Sequence, residues 1–181
     1  GSISMTGALS NMGNLTFTGN KIAWSAAIGG VGALTLQTTT NSRVINLLGA
    51  SDAGASTLDI TKAQFDLLGT NLTLITVGNG SQSGAINVLA DYTFANSVKL
   101  QTSGSTYLGG SLTGTGSAAF TITGPLLLTG GDRSITTNTG AITLASIDSA
   151  LEGGGDLISN VYTSSTTWAV PNYVTSANIL V

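Results

Sequence analysis

Few residues in this chain could do chemistry. There is no histidine and no cysteine, and only eight acids and five cations. That inventory removes Ser-His-Asp and Cys-His relays and the commonest zinc ligands. The serines have no general base beside them in sequence and read as turn hydroxyls. The acids are Asp52, Asp59, Asp66, Asp91, Asp132, Asp148, Glu152 and Asp156. Glycoside hydrolysis needs two carboxylates a set distance apart across a cleft. Asp52, Asp59 and Asp66 recur at intervals of seven, too short to stack on successive coils of a repeat. Asp148, Glu152 and Asp156 lie four apart, but Gly153, Gly154 and Gly155 oppose the helix that would align them. The expectation is a protein without catalytic, metal-binding or cofactor-binding residues, and not an enzyme.

Other candidates have plainer readings. Glu152-Gly153-Gly154-Gly155-Asp156-Leu157 is similar to one imperfect copy of a calcium-binding nonapeptide, a site that takes ligands from tandem turns, so a turn is expected. Trp24 alternates with Ile22 and is expected in the core or at a coil corner. Thr16, Thr35, Thr73, Thr121 and Thr143 are expected to point outward, but irregular coil lengths should scatter them and spoil any flat, ice-binding rank.

The elements that must carry these residues are short strands. Charged residues are 7% of the chain and hydrophobic residues 41%, so it should fold rather than remain disordered. The recurring unit is an apolar-polar-apolar triplet. Leu15-Thr16-Phe17, Leu34-Thr35-Leu36, Leu72-Thr73-Leu74, Phe120-Thr121-Ile122 and Ile142-Thr143-Leu144 have Thr in the middle; Leu58-Asp59-Ile60, Ile86-Asn87-Val88 and Val98-Lys99-Leu100 have other polar residues. Side chains alternate faces along a strand, so each triplet sends two apolar groups inward and one polar group outward. Gly, Asn, Ser and Asp fill the intervals and favour turns. Leu15 and Leu34 are 19 residues apart, Leu34 and Leu58 24, Phe120 and Ile142 22. An imperfect coil of about 20 residues with two or three strands accounts for this spacing. A β-sandwich would want longer strands and more than 6% aromatic residues. The fold class expected is therefore all-β, a solenoid of short irregular coils over residues 1–160.

At most one short helix is expected, at Thr61–Gly69, with Thr61 capping its start, Gly69 its end, and Ala63, Leu67 and Leu68 facing inward. It should sit as a bulge or an edge cover. From about Val161 the triplets stop, and Trp168 and Tyr173 flank Pro171. Residues 161–181 are expected to cap the solenoid or begin another module, because a solenoid end exposes strand edges.

With the triplets laid out, the chain resembles the repeat regions of filamentous-haemagglutinin-like exoproteins and giant bacterial adhesins. The resemblance rests on Gly13-Asn14-Leu15-Thr16-Phe17 with Ala26-Ala27-Ile28-Gly29-Gly30, on Ala63-Gln64-Phe65-Asp66-Leu67-Leu68 between its flanking triplets, and on Gly130-Gly131-Asp132-Arg133-Ser134-Ile135-Thr136 with Gly140-Ala141-Ile142-Thr143-Leu144. Thr167-Trp168-Ala169-Val170-Pro171 is similar to the opening of a glycine-rich module of other surface proteins. The resemblance implies a right-handed parallel β-helix, secretion to the cell surface, and a stalk or adhesive role toward host or neighbouring cells and their glycans. The alternative is a polysaccharide-active or carbohydrate-binding β-helix module. The secretion domain of that family is not visible, and the chain reads as an excerpt from a longer one. Lys21, Arg43, Lys62, Lys99 and Arg133 are well spread, which opposes nucleic-acid and anionic-membrane binding. No apolar run approaches the ~18 residues of a membrane helix.

The triplet register makes an asymmetric prediction. Leu72→Asp should unfold or aggregate the protein, since an unpaired buried carboxylate costs several kcal/mol, about the whole stability. Thr73→Asp should cost no more than about 1 kcal/mol. Thermal melts of the two variants check this, and equal melting temperatures would refute the register.

Overall fold

The computed structural model describes residues 1–52, 54, 56–130, 133–148 and 162–163. It is a parallel β-solenoid of about seven coils. The first coil is β1 (Ser2–Met5), β2 (Leu9–Met12) and β3 (Leu15–Thr18), and the second is β4 (Lys21–Trp24), β5 (Ile28–Gly30) and β6 (Ala33–Gln37). Next come β7 (Val44–Leu47), β8 (Thr57–Ile60), the helix α1 (Lys62–Phe65) and β9 (Leu74–Gly78). The later coils hold β10 (Ile86–Val88), β11 (Tyr92–Phe94), β12 (Ser97–Gln101), β13 (Thr106–Leu108), β14 (Leu112–Gly114), β15 (Phe120–Leu128), β16 (Ile135–Thr137), β17 (Ile142–Asp148) and β18 (Tyr162–Thr163).

These strands stack into three faces. The first face runs from β1 and β4 through β8, β7, β10 and β13 to the later halves of β15 and β17. The second holds β2, β5, β11, β14, β16 and β18. The third runs β3, β6, β9, β12 and the earlier halves of β15 and β17. Inward residues stack on their equivalents one rung, about 4.8 Å, away. Leu34, Ile75, Val98, Phe120 and Ile142 form one such file and are all buried. The triplets face as expected with one exception, although Asp59, in the middle of its triplet, is buried and bonded to Asn46 and Thr57 rather than open to solvent. Leu72 is buried and Thr73 exposed, but Leu74 opens β9 in register with Ser97 and is only half-buried, while Ile75 and Val77 fill the core. Leu72 belongs to the preceding turn, whose Asn96 bracket (to the carbonyls of Gly69 and Leu72, 3.0 and 2.9 Å) sets where the strand begins.

One departure breaks the stacking. After β7 the chain doubles back and lays β8 between β4 and β7, so the first face gains a rung that the third face lacks, where β6 pairs directly with β9. The detour starts at Leu48, whose backbone is in the left-handed region (φ 65°) while its side chain stays buried. On the second face α1 and the turn after it fill the gap between β5 and β11, with Leu68 bridging Ile28. A helix is about 10 Å across, roughly two rungs. The helix is thus part of the coil rather than a bulge on it. Thr61 caps it, and Gln64 accepts the Thr61 amide in return, a capping box; its end is capped at Asp66, not at Gly69 as expected, because the helix stops after Phe65. Ala63 is exposed, contrary to expectation, because Gln64 and Phe65 turn inward; Leu67 and Leu68 are half-buried. Gln64 also donates to the Ile22 carbonyl (3.0 Å) and accepts Trp24 Nε1–H on its own carbonyl (2.9 Å), which locks the helix to the coil below.

The corner between the third and first faces is polar. Gln82 is fully buried and donates to the carbonyls of Arg43 (2.6 Å) and Gly84 (3.3 Å), while Thr38 donates to its Oε1 (3.0 Å). Beside them Gly84, Gly104 and Gly124 stack one coil apart, so closely that a Cβ on Gly104 would meet the Ser83 carbonyl oxygen. Apart from Tyr162 and Thr163, which pair with β16, the stretch 161–181 read as a cap or following module lies outside the described residues.

Thr106 makes a sharp test of this core. It points inward between Ile86 and Leu126, is fully buried, and its hydroxyl has no hydrogen-bond partner. Thr106→Val should stabilise the protein by about 1 kcal/mol, a rise in melting temperature of roughly 2–4 °C. Gly104→Ala should lower the melting temperature. Calorimetric melts check both, and an unchanged or lowered Thr106→Val midpoint would mean the hydroxyl does useful bonding.

Candidate functional site

The regular faces carry ranks of polar side chains. On the third face Thr16, Thr35 and Thr76 align in successive rungs, followed by Lys99, Thr121 and Thr143. Irregular coil length was expected to scatter these residues; it does not, because the extra residues are absorbed in the turns while the buried files hold the strands in register. Thr73 is the exception, and Thr76 takes its place. Lys99 interrupts the rank. A second rank, Thr93, Thr113 and Thr136, runs up the second face, with Thr136 Oγ1 donating to Thr113 Oγ1 at 3.3 Å. On the first face Asn87 donates to Asn46 (2.8 Å) and Asn46 to Asp59 (2.7 Å), so a side-chain ladder ends on a carboxylate that Thr57 also bonds (2.8 Å).

The acids are not as dispersed as their spacing suggested. The detour after β7 brings Asp52 beside Asp59, seven residues away in sequence. Lys21 Nζ lies 2.6 Å from Asp52 Oδ2, and this ammonium, with the Gly54 amide, holds the Asp52 carboxyl below the usual range. Asp66 and Asp91, from different coils, face one furrow. Asp148 lies in β17 opposite Leu127. Asp132, Glu152, Asp156 and Trp168 lie outside the described residues. Trp24 is buried and stacks on Phe17 at 6.5 Å, as core packing requires. Among the described residues no three acids gather into a metal-sized cluster, and no helix is long and apolar enough to cross a membrane.

The furrow lies where α1 meets the second face. Its volume is about 470 Å³, and it is walled by Lys62 and Asp66 on the helix side and by Asp91, Thr93 and Thr113 on the strand side, with Tyr92 between. A second lobe of about 220 Å³ continues past Tyr92 toward Thr70 and Asn96. Lys62 Nζ bonds both oxygens of Asp66 at 3.0 Å and sits 5.1 Å over the Tyr92 ring. Tyr92 packs against Phe94 (4.6 Å) and Phe65 (5.8 Å), and Phe94 reaches Phe120 (5.9 Å), so the floor is anchored in the core. Burial first, and then the hydroxyl's bond to Asp66, push the Tyr92 phenol up to about 12. The same contacts work the other way on Asp66, whose carboxyl the Lys62 ammonium holds below the usual range. Asp91 Oδ1 accepts the Ser111 amide at 2.6 Å, and its other oxygen has no partner among the described residues.

These features define a parallel β-solenoid with a mixed polar and aromatic furrow where its stacking is irregular. Comparison with protein-family models, curated proteins and solved structures finds no match. Sequence reading alone did not find the furrow. Its signals were present: Lys62 and Asp66 are one helical turn apart, and Asp91-Tyr92-Thr93 lies under Ser111-Leu112-Thr113 once the coil length of twenty is known.

Tyr92 yields a titration test. Its folded pKa lies above the ordinary tyrosine value, so the folded state keeps the proton longer than the unfolded one. Its stabilising contribution should be complete below about pH 10 and be lost as pH rises toward 12. In absorbance titration one tyrosine should ionise late, and Tyr92→Phe should remove that late component. A variant that retains it would refute the assignment.

Proposed function

We propose that this chain is a structural and adhesive segment of a large secreted or cell-surface bacterial protein of the filamentous-haemagglutinin-like kind. It serves as a stalk, and as a surface for contact with host or neighbouring cells. The carrying observation is the parallel stacking along three faces, interrupted only around the helix among the described residues, which generates about 4.8 Å of length per coil around a mainly aliphatic core. The outward surface is dominated by hydroxyls and amides, which tolerate exchange without cost to the core.

The segment is not an enzyme in this reading. A glycosidase acid must hold its proton near neutral pH, which requires a raised carboxyl pKa. Asp52 and Asp66 are both shifted the opposite way by their lysines, and a phenol near 12 is a poor base. Length and surface, rather than turnover, are what the arrangement supports.

Beads coated with the purified chain should adhere to epithelial or bacterial cells several-fold more than albumin-coated beads, and the chain should release no reducing ends or unsaturated products from plant, algal and bacterial polysaccharides. Adhesion no better than albumin would overturn the adhesive role. Turnover lost on Asp66→Asn would overturn the non-catalytic one.

A further inference from the structure

A regular solenoid presents flat faces, and a flat face holds a ligand poorly. The furrow arises where the helix replaces strand in one coil and meets the strands of the second face. Its size, about 470 Å³ with an adjoining lobe of about 220 Å³, falls in the ordinary range for ligand sites. We propose that this furrow is a binding site for a neutral glycan chain lying along the solenoid axis, across Tyr92 and up the rank of Thr93 and Thr113.

The chemistry of the walls selects this class. A sugar ring offers vicinal hydroxyls, and carboxylates are strong acceptors for them. Asp91 keeps one oxygen without a partner among the described residues, and Asp66 faces it from the helix side. Thr93 and Thr113 are exposed and stand one rung apart in register, a step close to the length of one pyranose unit. Thr136 extends the same rank by another rung. Tyr92 supplies an apolar body fixed by Phe65 and Phe94, so little ordering is needed on binding. The two acids outnumber the single Lys62, so the furrow is net negative. That balance disfavours sulfated or uronic-acid chains and nucleic acids. No acid and lysine in it need separate: Lys62 stays paired with Asp66 and closes one end over the Tyr92 ring.

This inference deepens the adhesive reading by naming a site and a ligand chemistry, and purified sugars test it separately from cells. Calorimetric titration would use neutral hexasaccharides of β-1,4-glucose, β-1,4-N-acetylglucosamine, β-1,4-xylose and α-1,4-glucose, with heparin and an oligolysine peptide as charged comparators. At least one neutral hexasaccharide should bind. Thr113→Arg, which fills the furrow from an exposed position, should weaken that binding by about tenfold or more, whereas Thr16→Arg on the third face should leave it unchanged. Unaltered melting temperatures show that both variants fold. Absence of binding to every neutral sugar, binding unaffected by Thr113→Arg, or binding of heparin or oligolysine alone would each overturn the proposal, even if coated beads still adhere to cells.

Discussion

Everything in this molecule depends on parallel in-register stacking of one coil on the next. In the regular coils a strand is satisfied by the rung below and the rung above, and its inward side chains rest on their equivalents. Ile45 lies between Leu58 and Ile86, and Ile75 between Leu34 and Val98. The backbone hydrogen bonds and the aliphatic files are the same constraint seen twice, because a slip of one residue would turn every apolar group to solvent. A narrow core of this kind needs few aromatic residues. Those it has are concentrated where the stacking is irregular, with Phe65, Tyr92, Phe94 and Phe120 filling the space around α1.

The irregularity is itself balanced. An extra strand on the first face is matched by a helix on the second, and both lie in the stretch between β6 and β9. The balance is secured by buried polar bonds rather than by more hydrophobic area. Gln64 ties the helix to Ile22 and Trp24, Asn96 ties the turn after it to the coil above, and Gln82 with Thr38 and Thr102 holds the next corner. Buried amides bonded in this way, Gln64 and Gln82 at both ends, specify one arrangement, since a shifted coil would strand them without partners. The furrow is a by-product of the same event: the residues that wall it are set at its edges by the helix and by the first two regular coils beyond it.

Much of the solenoid was legible because it is local. Alternation has a period of two residues, so Leu34-Thr35-Leu36 announces its inward and outward sides without knowledge of any neighbour, and seven of eight triplets face as read. The Thr61 cap was legible because a capping box closes within four residues. Leu74 and Ala63 were misread where a turn, not the strand or helix itself, set the phase. Leu72 belongs to the turn bracketed by Asn96, and the helix leans on Gln64 and Phe65 because the coil below offers Ile22 and Trp24 as partners.

By itself the sequence determined that this protein is built of short strands with aliphatic interiors, that it lacks histidine and thiol chemistry, and that one helical turn interrupts it. Tertiary structure alone decided which coils align. Residues 7, 20 or 25 apart become neighbours only after turns of unequal length close, so the meeting of Asp52 with Asp59, the Thr93 and Thr113 rank, and the facing of Asp66 and Asp91 across Tyr92 could not be counted from spacing. The detour after β7 adds a rung on one face only, and no local rule carries that information. The register across coils is a global property, fixed by how the buried files fit together, and the candidate site is a consequence of register.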